Sequence, residues 1–585
     1  MKVTLCIDGE TRVWQGEPCA LREVLASSGM GVEEPCGGRG RCGKCKVTVT
    51  PPPEATEEEL RLLTPAELNG GVRLACITRL EEDCTVFRDS AEASIETRGG
   101  ETFSIRTEYT LSTVNLSPAS LSDPRSPDLR LEELGLSLAP EAVPGLAELP
   151  ISGGEVRVLS RGGRALSARS GGKYRLLGCA ADIGTTTVVV YLMDLQTGER
   201  LAVASATNPQ VSRGADVVSR MAAASLPGGL EALSGMIRDC LARLMEDCLL
   251  QAGAYPWQIA ETVVVGNTVM LHLAAGISPS GMAAVPFVPV FLKELEPRPS
   301  DWGLPMLPAG RLRLLPGAAA YVGADITASV MASGLDTREE LTLLVDIGTN
   351  GEMVLGNRHR MVACATAAGP ALEGAHIRCG MGGVTGAVSA VGGDLSLEII
   401  GGGTPAGICG SGLVDGVAVL LAAGALDETG RLQPEEGPEE WESRWSREGR
   451  HSVFTLAEGV TLCQQDIREV QLAKAAIAAG IRVMLSQWGT KPEEVARVYV
   501  AGGFGSRLNR DSACAIGLLP RALRQRIDVI GNGAGTGARM VLLDSREAAR
   551  ARTLVRRLET LELSALAEFQ EVFVDEMLFD PTPMD

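Results

Sequence analysis

The sequence predicts a multidomain protein in which a small α+β domain precedes a large, duplicated α/β domain. Strand-like apolar runs alternate with Ala- and Leu-rich helical stretches from residue 177 onward, which is typical of an α/β domain. The tetrapeptide Asp-Ile-Gly-Thr occurs at 182–185 and again at 346–349, each time after an apolar run. Near the N-terminus the chain has a group of four cysteines, Cys36, Cys42, Cys45 and Cys76. A chain of 585 residues is too long for one hydrophobic core, so several domains are expected.

Residues 1–92 are predicted to form a compact β-grasp domain. Apolar and polar side chains alternate over residues 1–15 around Asp8-Gly9, a pair that favours the turn of a β-hairpin. The following pattern predicts a helix over 21–28, a strand over 46–50, helical pieces over 57–62 and 65–68, and a strand over 73–78. The group of four cysteines lies in the loop after the first helix and in the last of these strands.

Two further regions separate this domain from the duplicated one. Residues 93–130 are rich in Ser, Thr and Pro and are predicted to be a partly extended linker. Residues 131–176 are predicted to be a small middle domain, with strand-like runs at 156–159 and 174–177. No chemistry is assigned to this middle domain.

The rest of the chain, residues 177–585, is predicted to be a duplicated domain with halves at about 177–340 and 341–585. The spacing between the two Asp-Ile-Gly-Thr copies is that of a whole domain, which excludes a solenoid repeat. Helices are predicted over 230–252 and 470–488. A cleft between the two halves is the expected location of a binding site.

The cysteine spacing, C-x5-C-x2-C-x30-C, predicts a [2Fe–2S] cluster. Such a cluster needs four thiolates directed at two irons, here three from one loop and one from a distant strand. Glycines within that loop allow the backbone to wrap closely around the sulfides. The alternatives are unligated buried thiols or a structural zinc site, but zinc sites usually pair two C-x2-C elements and this chain has one.

The two Asp-Ile-Gly-Thr segments predict a pair of phosphate-binding turns. Glycine permits close approach of the backbone, threonine hydroxyls and N–H groups donate to phosphate oxygens, and the aspartate suits a hydrated Mg²⁺. The residues predicted to bind phosphate are Gly184, Thr185, Thr186, Gly348, Thr349 and Asn350. Asp182 and Asp346 are the predicted catalytic carboxylates.

Two Gly-rich segments are predicted to complete a nucleotide site. An apolar strand runs into Ala501-Gly-Gly-Phe-Gly505, where Gly502, Gly503 and Gly505 would lie beneath an adenosine. Gly410 and Ser411 open a predicted helix whose N–H groups favour an anion. The run 531–537 is also rich in glycine, but its position between a strand and a helix favours a tight connection. The whole set resembles the ATPase superfamily of actin, heat-shock chaperones and sugar kinases.

Charge and composition exclude several classes of function. A formal net charge of −19 argues against binding to nucleic acid, because little would neutralise an extended row of phosphates. Fifteen cysteines, mostly scattered singly, fit a reducing compartment, and the cytoplasm is expected. The longest uncharged apolar run, near 417–426, is too short to span a membrane.

Over its whole length the chain resembles the reductive activators of corrinoid proteins. The resemblance depends on the cysteine spacing, both Asp-Ile-Gly-Thr turns, Gly266-Asn-Thr-Val-Met270, Ala501–Gly505, and the stretch Gln465-Asp-Ile-Arg with Gln471-Leu-Ala-Lys474. It implies an N-terminal ferredoxin, a C-terminal actin-like ATPase, and ATP-dependent transfer of one electron to the Co(II) corrinoid of a methyltransferase system. The reduction potential of such clusters is usually near −400 mV or higher, and reduction of Co(II) is harder still. Each 100 mV by which the electron moves uphill costs about 2.3 kcal/mol.

The resemblance also implies cofactors and partners. The cofactors are the [2Fe–2S] cluster, ATP and Mg²⁺, and the partners are a corrinoid protein and an external low-potential electron donor. Proteins with this ATPase fold commonly form homodimers. Two alternatives remain: an activator of a radical 2-hydroxyacyl-CoA dehydratase, which the N-terminal ferredoxin argues against, and a non-enzymatic redox sensor switched by ATP.

Overall fold

A computed structural model describes most of the chain, namely residues 1–7, 10–28, 40, 45–63, 65–88, 103–149, 151–171, 174–449, 451–503 and 507–580. The N-terminal domain contains a five-stranded sheet in the order β2-β1-β7-β4-β5 and a small pair, β3 with β6. Its strands are Lys2–Ile7 (β1), Glu10–Gln15 (β2), Cys19–Ala20 (β3), Lys46–Thr50 (β4), Val72–Leu74 (β5), Arg79–Leu80 (β6) and Cys84–Arg88 (β7). Its helices are Leu21–Ser27 (α1), Glu57–Leu62 (α2) and Pro65–Asn69 (α3).

Alternating side chains explain why this small sheet is stable. Val3 and Leu5 on β1, with Val47 and Val49 on β4 and Val86 on β7, form the centre of a separate hydrophobic core. Thr56 caps α2 with its hydroxyl, and Glu59 completes the capping box. The predicted hairpin, helices and strands are therefore present. The turn of the hairpin, predicted at Asp8-Gly9, lies outside the described residues. The predicted strand over 73–78 is shorter, because the chain turns after Leu74.

The middle domain is larger than the sequence predicts. Its strands are Tyr109–Leu116 (β8), Ser137–Leu138 (β9), Gly154–Arg161 (β10) and Arg164–Ser170 (β11), and its helix is Pro127–Glu133 (α4). The sheet order is β8-β10-β11-β9, and β8 pairs with β10 along its full length. The linker prediction for 93–130 is therefore wrong from residue 109 onward. Its Ser and Thr content concealed a strand in which Tyr109 and Leu116 are buried.

The first half of the large domain is built on a sheet in the order β14-β13-β12-β15-β16. The strands are Leu177–Ile183 (β12), Thr187–Asp194 (β13), Arg200–Thr207 (β14), Ile259–Gly266 (β15) and Arg311–Leu314 (β16). The helices are Val217–Ala224 (α5), Gly229–Ala252 (α6), Thr268–Ala275 (α7) and Ala324–Ser333 (α8). Leu177 begins β12, so the predicted run 174–177 belongs with this sheet and not with the middle domain.

The second half repeats this arrangement. Its main sheet has the order β27-β26-β17-β18-β19-β28, and the smaller sheets are β21-β20-β22 and β23-β24-β25. The strands are Thr342–Ile347 (β17), Gly351–Gly356 (β18), Met361–Thr366 (β19), Ala387–Val391 (β20), Leu397–Ile399 (β21), Gly407–Ile408 (β22), Trp445–Glu448 (β23), His451–Ala457 (β24), Val460–Cys463 (β25), Arg497–Ala501 (β26), Ile527–Gly531 (β27) and Leu558–Leu561 (β28). The helices are Gly410–Ala422 (α9), Gln464–Trp488 (α10), Arg510–Ala515 (α11), Gly533–Leu543 (α12), Ser545–Arg557 (α13) and Ala567–Asp575 (α14).

The two halves are not independent along the chain. Helices α12 and α13 belong to the second half in sequence, yet Ala538, Leu543 and Leu554 are buried in the hydrophobic core of the first half. Helix α12 packs against α8 and strand β12. The late part of the sequence therefore completes the core of the early part.

Candidate functional site

Both predicted phosphate-binding turns lie at the carboxyl ends of parallel strand pairs. The first turn joins β12 to β13, and β12 runs parallel to β15 with Ile183 opposite Gly266. The second turn joins β17 to β18, and β17 runs parallel to β26 with Asp346 opposite Ala501. Ligands of α/β domains bind at such strand ends, so the duplication presents two equivalent halves of one site.

The two turns are in direct contact across the cleft. The hydroxyl oxygens of Thr186 and Thr349 lie 3.2 Å apart. Both hydroxyls donate to the same carboxylate oxygen of Glu373, over 2.8 Å from Thr186 and 2.5 Å from Thr349. A phosphate group placed between these hydroxyls would have to separate them, so movement of the two halves and occupation of the cleft are linked.

The two predicted catalytic carboxylates are half-buried at the base of these turns. Asp182 accepts a hydrogen bond of 2.9 Å from the side-chain amide of Asn532, and Asp346 accepts one of 3.3 Å from the hydroxyl of Ser329. Burial, with the negative charge of Asp346 nearby, raises the pKa of Asp182 to about 7. Burial, with the charge of Glu373, raises the pKa of Asp346 to about 6.

Three more carboxylates surround this pair, and the sequence analysis did not identify them. They are Asp325 at the start of α8, Glu352 on β18, and Glu373. Burial raises the pKa of each of the three, and neighbouring carboxylates raise those of Asp325 and Glu352 further. Asp325 could have been found from the sequence, because it follows Gly323-Ala324 in an apolar segment. An acidic residue at the start of a buried helix needs a partner for its charge.

A bound cation is the simplest way to keep such a set of carboxylates ionised together. Oxygen ligands are those that Mg²⁺ prefers, so the chemistry of the donors fits this ion. Among the described residues, no three acidic, histidine or cysteine side chains converge closely enough to bind a metal by themselves. The arrangement therefore fits an ion held largely by water and phosphate oxygens, as Mg²⁺ commonly is.

A buried arginine supports the first turn from behind. The guanidinium of Arg220 donates to the carbonyl of Thr185 over 2.5 Å and to the carbonyl of Gly214 over 2.9 Å. Burial lowers the pKa of Arg220 to about 10, although the negative charges of Asp216 and Glu373 raise it in part. The side chain therefore remains a cation at neutral pH. It thus holds a positive charge close to the phosphate-binding turns.

Two glycines of the site, Gly184 in the first turn and Gly502 after β26, have structural reasons to be glycine. A Cβ atom at Gly184 would lie 2.5 Å from the carbonyl oxygen of Thr187. Gly502 has a φ of +101°, and a Cβ there would lie 2.4 Å from the carbonyl oxygen of Ile347. Gly502 and its neighbour Gly503 therefore follow β26 directly beside the second turn. Gly505 lies outside the described residues.

Gly410 and Ser411 are at the start of α9, as the sequence predicts. The hydroxyl of Ser411 donates to the carbonyl of Ser389 over 2.7 Å, and the side chain is buried. None of the hydrogen bonds in the described structure joins Ser411 to the carboxylates of the cleft. Their role in binding a nucleotide stays a prediction.

Two of the four predicted cluster ligands are within the described residues. Cys45 and Cys76 are both buried, and their sulfur atoms lie 3.1 Å apart, although 31 positions separate them in the sequence. Two thiolates this close fit ligation of one iron. Cys36 and Cys42 lie outside the described residues.

One cavity of the described structure lies away from these turns. It has a volume of about 760 Å³ and lies at the N-terminus of α10, where Arg378, Arg431 and Arg468 line it. None of the predicted site residues lines it. The chemistry of the cleft is therefore identified by its buried carboxylates and its paired turns, and not by its volume.

Comparisons with known proteins agree with this arrangement along the whole chain. Residues 7–81 match the 2Fe-2S iron-sulfur cluster binding domain, residues 177–338 match the RACo middle region, and residues 340–585 match the C-terminal domain of RACo, the ASKHA domain. The corrinoid activation enzyme RamQ of Eubacterium limosum is 30% identical over 598 aligned residues, which cover 96% of this chain and 97% of RamQ. This chain belongs to the family of reductive activators of corrinoid proteins.

Two other similarities agree with membership of this family. A solved structure of a reductive activator for corrinoid, iron-sulfur protein is 32% identical, with a TM-score of 0.73, and the match covers 99% of this chain and 98% of that one. The [Co(II) methylated amine-specific corrinoid protein] reductase of Methanosarcina barkeri is 24% identical over 406 residues, covering 63% of this chain and 70% of that protein. The predicted [2Fe–2S] domain and an ASKHA ATPase domain are thereby confirmed, and with them the [2Fe–2S] cluster and ATP as cofactors. The ASKHA match covers residues 340–585, whereas the predicted first half of the duplicated domain matches the RACo middle region.

Among the residues that the structure describes, no helix is both long and apolar enough to cross a bilayer.

The raised pKa values predict how pH affects the stability of the protein without nucleotide and magnesium. The pKa of Asp182 is raised from 3.8 to about 7, so the folded state binds more protons than the unfolded state between these values. Its contribution to stability is full below pH 3.8 and is lost as pH rises through about 7. The free energy of unfolding of an Asp182→Asn variant, minus that of wild type, should therefore increase by on the order of 1–2 kcal/mol as the pH is raised from 5 to 7.5.

Urea unfolding at both pH values would measure this difference. Asp239→Asn, which removes an exposed carboxylate on α6, is the matched control and should follow the wild-type pH profile. Parallel profiles for wild type and Asp182→Asn would contradict the prediction.

Proposed function

We propose that this protein is an ATP-dependent reductase that transfers one electron from its [2Fe–2S] cluster to the Co(II) corrinoid of a methyltransferase system. The product is the Co(I) state, which accepts a methyl group. The observation that carries the proposal is the presence, in one chain, of a buried cysteine pair with ferredoxin spacing and two opposed phosphate turns above half-buried carboxylates. An electron carrier and an ATPase in one molecule indicate that ATP drives an unfavourable electron transfer.

The proposed roles in the nucleotide cleft follow from the contacts of each side chain. Magnesium and ATP, when bound, supply a polarised phosphoryl group whose hydrolysis releases free energy. Asp182 and Asp346 would orient the hydrated metal and the attacking water, and one of the two would accept the proton from that water at a carboxylate oxygen. Thr185, Thr186, Thr349 and Asn350 donate to phosphate oxygens, Gly184 and Gly348 allow close approach, and Gly502, Gly503 and Gly505 seat the adenosine.

Glu373 and Arg220 have proposed roles that the sequence analysis did not include. Glu373 accepts hydrogen bonds from both threonine hydroxyls, so it holds the two turns together until phosphate oxygens replace it. Arg220 holds the backbone of the first turn through the carbonyl of Thr185. Both residues thus link binding of the phosphate to the relative position of the two halves.

The proposed use of ATP is conformational. A ligand shifts an equilibrium between two conformations only by its difference in affinity for them. Phosphate binding that separates the threonine pair would favour a conformation that binds the corrinoid partner in a readily reduced form. Hydrolysis would then restore the contact between the two turns.

The cluster site has its own proposed geometry. The cluster, when bound, supplies a one-electron reductant. Cys45 and Cys76 would bind one iron, and Cys36 and Cys42 the other. An external low-potential donor would reduce the cluster again, and the ATPase halves of two copies would associate as a homodimer.

The test is an anaerobic spectroscopic assay of the intact protein. Reduced protein, a Co(II) corrinoid protein and Mg-ATP are mixed, and visible absorbance follows Co(II) and Co(I). Co(I) should form with ATP and fail to form with ADP or without nucleotide. Equal rates with and without ATP, or no Co(I) with any corrinoid protein tested, would overturn the proposal.

A further inference from the structure

A continuous chain of side chains leads from the nucleotide cleft to the segment that follows the N-terminal domain. It starts at Asp182, whose carboxylate accepts a hydrogen bond from the Asn532 amide. The same amide nitrogen lies 3.4 Å from the hydroxyl oxygen of Tyr191 on β13. One amide group therefore contacts both the carboxylate of the cleft and the hydroxyl of the fully buried Tyr191.

The chain continues through a buried arginine on α12. The guanidinium of Arg539 lies 4.9 Å from the ring centre of Tyr191 and 5.1 Å from the ring centre of Phe103. Cations at such distances from aromatic rings are attracted to them, and burial strengthens the attraction. Arg539 is also fixed by its own helix, since it donates to the hydroxyl of Thr536 over 2.9 Å.

The far end of the chain is a short segment held against α12 and α13. Phe103 begins segment 103–106, the first described stretch after strand β7 of the N-terminal domain. The N–H of Arg106 donates to the carbonyl of Leu543 over 2.8 Å, and the N–H of Ser545 donates to the carbonyl of Arg106 over 3.0 Å. Residues 89–102 connect this segment to the cluster-binding domain.

Packing around Asn532 leaves little freedom for independent movement. A Cβ atom at Gly535 would lie 2.7 Å from a ring carbon of Tyr191 and 3.0 Å from the amide nitrogen of Asn532. The N–H of Gly535 also donates to the side-chain oxygen of Asn532 over 2.7 Å. A shift of the amide therefore displaces either the tyrosine ring or the first turn of α12.

We propose that Asn532, Tyr191 and Arg539 are positioning residues. Through them, nucleotide binding in the cleft strengthens the contacts that keep segment 103–106 against α12 and α13. A metal–nucleotide complex at Asp182 restrains its carboxylate and so fixes the amide, the ring and the guanidinium in turn. Segment 103–106 is then held more firmly, which limits the positions available to the cluster-binding domain. The inference rests on the proposed function for its purpose, but nucleotide binding alone is enough to test it.

Hydrogen–deuterium exchange of the full chain tests the coupling directly. Exchange is followed in peptides spanning 103–110 and 541–547, with and without magnesium and a non-hydrolysable ATP analogue. The analogue should slow exchange in both peptides of the wild-type protein. Phe103→Leu removes the outer aromatic ring and should reduce this effect roughly threefold to thirtyfold, the range of a cation–π contact. Phe569→Leu, a half-buried phenylalanine on α14, is the matched control and should keep the full effect.

A second pair of variants separates coupling from simple loss of stability. Arg539→Lys keeps the charge but loses the planar group, and Arg238→Lys does the same at a stack on Trp302 elsewhere in the first half. The slowing of exchange by the ATP analogue should be smaller in Arg539→Lys and unchanged in Arg238→Lys. The two variants are compared under conditions in which their melting temperatures are equal. The ratio of Co(I) formed to ATP hydrolysed should likewise fall in Arg539→Lys and stay at the wild-type value in Arg238→Lys.

The outcomes distinguish this inference from the proposed function. Measurable binding of the analogue without any change in exchange would overturn the inference and leave the function standing. A full nucleotide effect in both Phe103→Leu and Arg539→Lys would also overturn it. A normal effect on exchange, in a protein that reduces no corrinoid, would support the coupling and overturn the function.

Discussion

A Cys45→Ala variant is expected to lose the [2Fe–2S] cluster and, with it, reduction of the corrinoid partner. Each iron of such a cluster needs four sulfur ligands, and the buried Cys45 sulfur lies 3.1 Å from that of Cys76. Without it, Co(I) formation should fall by at least about a hundredfold, since this cluster is the one-electron carrier of the proposed reaction. Visible absorbance, iron content and EPR after anaerobic reconstitution would measure the cluster.

Cys84→Ala is the matched control for this variant. Cys84 is a buried thiol on β7 in the same small core, but it lies outside the C-x5-C-x2-C pattern. The control should keep its cluster, and its ATP hydrolysis should equal that of Cys45→Ala, because the ATPase site is in another domain. A Cys45→Ala protein that retained the full EPR signal would contradict the ligand assignment.

The second large effect is expected for Asp346→Asn. This change preserves shape but removes the charge proposed to orient the hydrated metal at the second turn. Hydrolysis of ATP should fall by about 10² to 10³, the usual effect of removing one preorganised electrostatic group from an active site. Binding of ATP, measured by calorimetry, should change far less, because the threonine and backbone donors remain.

Phosphate release measured with and without the corrinoid partner would show this effect. Asp394→Asn, which removes an exposed carboxylate in the turn between β20 and β21, is the control and should hydrolyse ATP at the wild-type rate. Wild-type hydrolysis by Asp346→Asn would remove this residue from the proposed machinery. Loss of ATP binding in the variant would instead give Asp346 a role in binding the nucleotide.

Local patterns predicted the small elements well. The strand at Lys46–Thr50 and the helix at Glu57–Leu62 have the predicted bounds, since alternation and a capping box act within a few residues. Strand Tyr109–Leu116 was missed for the opposite reason. Its pairing partner, β10, begins 38 residues further along the chain, and only that pairing makes a Ser- and Thr-rich stretch a strand.

The candidate site shows the same limit. Asp182 and Asp346 were identifiable because a repeated motif marks them, whereas Glu352 and Glu373 stand alone in the sequence. Their importance follows from the folding of β18 and the segment after β19 around the second turn, which buries Glu352 and brings the half-buried Glu373 against Thr349. Asn532 was passed over because the run 531–537 does form the predicted connection, from β27 into α12. Its side chain nonetheless reaches back to Asp182, 350 positions earlier.

The packing of α12 and α13 into the first half has a consequence for how the protein is made. A ribosome must release almost the entire polypeptide before Ala538, Leu543 and Leu554 can reach the apolar surface that they cover. Until then, the early half exposes part of its interior during synthesis. Nascent chains of this protein should therefore depend on chaperones longer than a protein whose domains close one after another.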